Sequence, residues 1–320
     1  MNNLSADFNN LEKAILKTLA FFDIFDYPLT LVEIYKWLYQ PDKSYQLFEI
    51  SQALASPNLG KIIAAEKSFY FLAGHRSLVN TRLERYQIAE KKFKIAKKLI
   101  FWLRWLVFVE MIAVCNNAAY SNAEPKSDVD FFIIVRRGRL WWSRLAVTLT
   151  ATLLRLRRHG QKTTDRVCLS FYLADSHLNL ADISLKPVDP YLIYWLATLA
   201  PIYDLGIYQK FIATNVWLTD YLPNFYGSAL NQRRLVADNS YLKFSKGLDR
   251  LILGGLIGDG LEKLAFLVQS ARVKRYLGLA INQSDTKVVI SQAMLKFHKT
   301  DRRSLYRDWW QQKTKSLGIL

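Results

Sequence analysis

Asp128 and Asp130 stand two residues apart at the entrance to a strongly apolar run, Val129 to Val135, and this spacing is the part of the chain best suited to chemistry. Side chains alternate faces along a strand, so both carboxylates point the same way while Val129, Phe131, Ile133 and Val135 fill the opposite face. Two anions held side by side repel unless a positive charge lies between them. Mg²⁺ suits that place, because it binds through one or two carboxylates, keeps several waters and takes its remaining oxygens from substrate phosphates. Asp128 and Asp130 are therefore the candidate metal ligands and the candidate catalytic residues. A plainer reading also fits: a polar strand entry, with Asp130 paired to an arginine from Arg136, Arg137 or Arg139.

Upstream lie a strand candidate from Met111 to Cys115, a turn at Asn116 and Asn117, a small-residue segment and a polar loop. This order resembles the nucleotidyltransferase fold of the DNA polymerase β superfamily, in which a Gly-Ser turn precedes an Asp-hydrophobic-Asp strand. Leu11 to Leu38, Asn116 to Arg139, Asn215 to Asn224 and Lys287 to Ser291 extend the likeness over most of the chain, to a group of bacterial nucleotidyltransferase-domain proteins. The resemblance implies an α+β fold with a mixed β-sheet flanked by helices. It also implies Mg²⁺ or Mn²⁺ as cofactor, two ions in an active site, bridged by Asp128 and Asp130. A nucleoside triphosphate is then held by Asn116, Asn117 and Ser121, and a nucleotidyl group passes to an acceptor hydroxyl or phosphate.

Where the family has Gly-Ser, this chain has Asn116 and Asn117. Glycine lets the backbone approach a triphosphate, whereas asparagine tolerates left-handed angles and donates from its amide but is bulkier. The family's third carboxylate is expected from the neighbouring strand, Arg166 to Leu173. Its alternate positions are Cys168, Ser170 and Tyr172, and Asp165 and Asp175 at its ends read as turn or cap residues. The alternative function is an inactive protein on this scaffold that binds nucleic acid or a protein partner through a basic surface.

The 320 residues carry 44 Lys and Arg against 27 Asp and Glu, a net charge of +17 that favours a polyanionic partner. With 51% hydrophobic residues the chain can bury substantial cores. Cys115 and Cys168 read as buried thiols in a reducing compartment, and four scattered histidines offer no zinc spacing. The polar start from Met1 to Asn10 predicts no secretory signal, hence a cytoplasmic protein. Leu99 to Glu110 is too short and too charged to span a bilayer, so no integral membrane contact is expected.

The elements that must position the acidic pair divide into three. Residues 1–79 are expected to form a winged-helix-like domain. Its helices are Leu11 to Phe22, a second through Leu38 opened by the capping box of Thr30 and Glu33, and a third from Tyr45 to Ala55, followed by a hairpin. The third helix carries only one charge, Glu49, which disfavours DNA reading. Residues 80–226 are expected to form the nucleotidyltransferase-like domain, introduced by a helix from Asn80 to about Val109 whose lysines, Lys91, Lys92, Lys94, Lys97 and Lys98, read as a solvated face. Arg136, Arg137 and Arg139 read as surface groups, and Trp141 and Trp142 as anchors for the next helix. Residues 227–320 are expected to be helical: a polar linker from Gly227 to Asn239, then Leu248 to Leu277 and Ser304 to Leu317.

Overall fold

The computed structural model describes residues 8–228, 231–278, 281, 283, 286–298 and 300–319. The reading of the first ten residues as leaderless falls mostly on residues 1–7, outside the described residues.

The amino-terminal part holds α1 (Asn10–Asp23), β1 (Leu29–Thr30), α2 (Leu31–Lys36), α3 (Leu47–Leu54), β2 (Ile63–Glu66) and β3 (Phe69–Leu72). The capping box predicted at Thr30 is present: its hydroxyl accepts from the Glu33 N–H, and the Glu33 carboxylate accepts from the Thr30 N–H. A second box, Asn9 with Glu12, opens α1. The three strands form an antiparallel sheet in the order β1-β3-β2.

Next come α4 (Leu78–Leu103), β4 (Val109–Val114), β5 (Val129–Val135), α5 (Leu140–Leu153), β6 (Val167–Ala174), α6 (Pro190–Thr198), β7 (Ala200–Asp204) and α7 (Ile207–Thr214). Asp189 caps α6 with Pro190 in its first turn, as the sequence signals. The last elements are α8 (Ser240–Leu253), α9 (Leu256–Leu277), β8 (Val288–Ile290), β9 (Met294–Phe297) and α10 (Arg303–Ser316). The chain is thus mixed α/β, with a six-stranded sheet in the order β7-β4-β5-β6-β9-β8. Strands β4 and β5 are antiparallel, β5 and β6 parallel with α5 between them in sequence, and β9 antiparallel to β6.

Strand β5 is buried on both faces, which explains its nearly continuous apolar run. Val129, Phe131, Ile133 and Val135 pack with Phe93 and Leu99 of α4 and Val147 of α5, while Phe132 and Ile134 pack with the α1 and α6 side.

Four expectations need correction. Helix α4 stops at Leu103, because Leu106 and Val109 turn the chain back through hydrogen bonds to Leu103 and Leu106 before β4 begins. The predicted helix from Leu248 is two helices, parted at Gly254 and Gly255. The carboxy-terminal stretch is not helical throughout, since β8 and β9 extend the main sheet. Finally, Arg139 is no surface group. It is buried and donates to Asp259 and to the carbonyls of Gly254 and Gly255, satisfying acceptors left over where α8 ends. Gly258 makes room for it: a Cβ there would lie 2.8 Å from the guanidinium and 1.8 Å from the Leu253 carbonyl oxygen. Trp141 and Trp142 do anchor α5, whose first N–H groups donate to Glu262 of α9 at 2.8 Å each.

Candidate metal and phosphate site

Asp128 and Asp130 lie at the amino end of β5, and Asp130 pairs in register with Cys168 of β6. One carboxylate oxygen from each aspartate and the Cys168 sulfur all lie within 4.8 Å of one another. Among the described residues these three side chains are the one such cluster that could hold a cation. The register between β5 and β6 slips by one residue just beyond, between the pairs Asp130–Cys168 and Phe132–Phe171. This bulge breaks the expected alternation of Cys168, Ser170 and Tyr172. Phe171 and Leu173 join the face that holds Phe132, whereas Tyr172 points into the opposite core.

Charge around the pair is managed from two sides. Arg158, in the loop after α5, donates to Asp128 at 2.7 Å. Asn116 donates its amide to Asp130 at 2.7 Å. The paired arginine of the plainer reading is therefore real, yet it is Arg158 on Asp128 and not one of Arg136, Arg137 or Arg139 on Asp130. Burial, and then the neighbouring Asp128 charge, push the Asp130 carboxyl up to about 6. Burial and the Asp130 charge likewise push the Cys168 thiol up to about 12, so it stands as a neutral thiol.

Asn116 itself is a node. Its backbone is left-handed, φ 59°, and its side-chain Oδ1 accepts from Tyr191 Oη at 3.1 Å and from Trp195 Nε1 at 3.0 Å. The other two residues assigned to phosphate binding are engaged inside the protein. Asn117 accepts from Tyr120, and Ser121 accepts from Arg234, which is itself paired with Glu90. Asn116 and Asn117 do line a narrow aromatic cavity with Phe21, Phe25 and Trp195. The structure thus brings Asn116 to the acidic pair, sets Asn117 beside it, and ties Ser121 to α4 through Arg234 and Glu90.

Sequence reasoning missed Arg158 and Lys92 as parts of this region, and it placed Cys168 on the neighbouring strand but read it only as a buried thiol. Lys92, read as solvated, is 1% exposed and donates to the carbonyls of Pro125 and Ser127 and to Asp165. It pins the loop that delivers Asp128. Its spacing from Ala89, Ala96 and Leu99 sets Lys92 on the apolar stripe of α4, a signal that counting the lysines of the run passes over. Asp165 is thereby occupied, and Asp175 accepts from the Arg137 N–H at the far end of β5. Among the described residues no third carboxylate joins the pair, and Cys168 stands at the in-register position.

Lys92→Met is expected to destabilise the protein by about 2 kcal/mol, less than a fully buried pair loses because Asp165 is half-exposed and can rehydrate. Denaturant melts measure this, and an unchanged midpoint contradicts the pinning role.

Comparisons of the chain with family models, with curated proteins and with solved structures find no match.

Proposed function

We propose that the chain binds a divalent cation with a nucleoside triphosphate at Asp128 and Asp130 and transfers a nucleotidyl group to an acceptor hydroxyl or phosphate. The observation that carries this reading is the pair of same-face carboxylates meeting Cys168 across parallel strands. The path from β4 through the Asn116 turn to β5, and by α5 to a parallel β6, supports the nucleotidyltransferase likeness. The helices and small sheet before Leu78 suit the winged-helix-like module, and two free thiols suit a cytoplasmic setting.

The donor set fits a hard cation through its two carboxylates, and Mn²⁺ accommodates the thiol better than Mg²⁺ does. When bound, the ion supplies charge neutralisation to the triphosphate. Asp128 and Asp130 hold it, Arg158 balances Asp128, and Asn116 fixes the Asp130 carboxylate in place. In the transfer the acceptor oxygen bonds the α-phosphorus as the α–β phosphoanhydride breaks. Pyrophosphate leaves with the bonding electrons, and the acceptor's proton passes to solvent.

A second reading, a binding protein on an inactive scaffold, is favoured by one observation: Asn117 and Ser121 are both spent on internal hydrogen bonds. Calorimetry with Mn²⁺ and a non-hydrolysable triphosphate separates the two. The first reading expects binding by the native chain that Asp128→Asn with Asp130→Asn abolishes. Equal binding by the double variant removes the metal role. No binding by either, with salt-sensitive binding of RNA by both, favours the second.

A further inference from the structure

Helix α8 faces the wrong way for a helix of a closed globule. Its inward side carries Leu242, Lys246 and Arg250, the lysine buried against Asp238 and the arginine paired with Glu110. Its outward side carries Tyr241, Phe244, Leu248, Leu251 and Ile252, all exposed and spaced as one helical stripe. Leu251 is 81% exposed, and Leu256, where α9 starts, is 89% exposed. Ile257, Leu264 and Leu267 continue the apolar surface along α9. Beside Tyr241 stands Trp105, 6.4 Å between ring centroids, and with Trp102 it is also exposed. Contiguous apolar surface on this scale marks an interaction site.

The charges around it select the occupant. Residues 240–278 contain three acids, and two are spent, Asp259 on Arg139 and Glu262 on the start of α5. Lys243, Lys263, Arg272, Lys274 and Arg275 form no ion pair among the described residues, and the chain's net charge is +17. Tyr241, Phe244, Trp102 and Trp105 offer rings to bases, but the exposed leucines and isoleucines of α8 and α9 outnumber them and a nucleic acid would leave these aliphatic side chains in water, while two copies bearing this charge repel one another. Leucines and aromatics exposed among lysines and arginines are the composition of a surface that lies in the headgroup region of an anionic bilayer. We infer that the α8–α9 face seats the protein on an anionic membrane surface without crossing it. The Arg139 clamp holds the joint of these helices beyond the carboxyl end of β5, so that joint lies at the opposite end of the strand from Asp128. No helix among the described residues is long and apolar enough to cross a membrane.

The test mixes the full chain with sedimenting vesicles of phosphatidylcholine, with and without phosphatidylglycerol. The expected result is co-sedimentation with the anionic vesicles, weakened by salt, with a blue shift of tryptophan emission. Leu251→Glu with Leu256→Glu is expected to lower partitioning at least about tenfold. Lys274→Glu with Arg275→Glu is expected to lower it on anionic vesicles specifically. All four positions are exposed, so melts of both variants should match the native chain. A native chain that stays in the supernatant overturns the inference, as does equal binding by the leucine variant. So does a native dimer that the leucine variant dissociates while vesicles bind neither protein, because a second copy then covers the face.

Discussion

Asp130→Asn is expected to stabilise the cation-free protein above pH 7 while removing the proposed nucleotidyl transfer. The Asp130 carboxyl sits at about 6 against an ordinary 3.8, since burial and the Asp128 charge oppose its ionisation and the Asn116 amide offsets only part of this. The folded value is therefore above the unfolded one, and the folded state binds this proton more tightly. Its favourable contribution is complete below about pH 4 and is lost as pH rises through about 6. Asparagine never bears the charge, so the stability difference should be near zero at pH 4 and approach roughly 3 kcal/mol above pH 7. Denaturant melts at both pH values read it directly. A variant no more stable than the native chain at pH 8 contradicts the burial argument. The proposed transfer should fall by at least about a hundredfold in the same variant, because one of the two carboxylates proposed to hold the cation is gone. Activity that survives would place the chemistry elsewhere.

The second large effect is expected at Asn116. Alanine there removes the donor to Asp130 and leaves Tyr191 Oη and Trp195 Nε1 without their acceptor. Each stranded buried group costs about 1–3 kcal/mol, so a loss of roughly 4 kcal/mol is expected. Glycine loses the same hydrogen bonds but adopts the 59° φ freely, and should recover about 1 kcal/mol of that loss. Equal melting of alanine and native proteins would show that the node is not structural. This outcome also bears on the Gly-Ser comparison. The asparagine is tied into the aromatic packing of α6, so restoring Gly and Ser at 116 and 117 would free backbone space and unfasten Asp130 together.

Much of the frame was legible because its signals are local. The alternation in Val129 to Val135, the capping box at Thr30 and the Asp189-Pro190 helix start each depend on a few adjacent residues, and each appears as read. The misreadings concern partners distant in sequence. Lys92 finds Asp165 across 73 positions, Arg139 finds Asp259 across 120, and Arg158 finds Asp128 across 30. A charge pattern along the chain cannot say which lysine of a run turns inward. The strands β8 and β9 were missed as sheet members for a similar reason: their three and four residues are defined by pairing with β6, not by a period of their own.

The one-residue slip in β6 makes the acidic site depend on a count as well as on identities. Because Cys168 lies before the slip and Phe171 after it, the two share a face although they stand three positions apart, an odd number. Deleting one residue at 169 or 170 would restore even parity while keeping every other side chain in place along the sequence. With the carboxy-terminal half of β6 held by its pairing to β9, the deletion would remove the bulge and leave Cys168 opposite Asp130. Straightening the bulge with both residues kept would instead set Leu169 opposite Asp130 and turn the thiol into the helical core. The thiol's place beside the two carboxylates would thus survive the loss of a residue from its own strand but not the loss of the bulge with both residues kept.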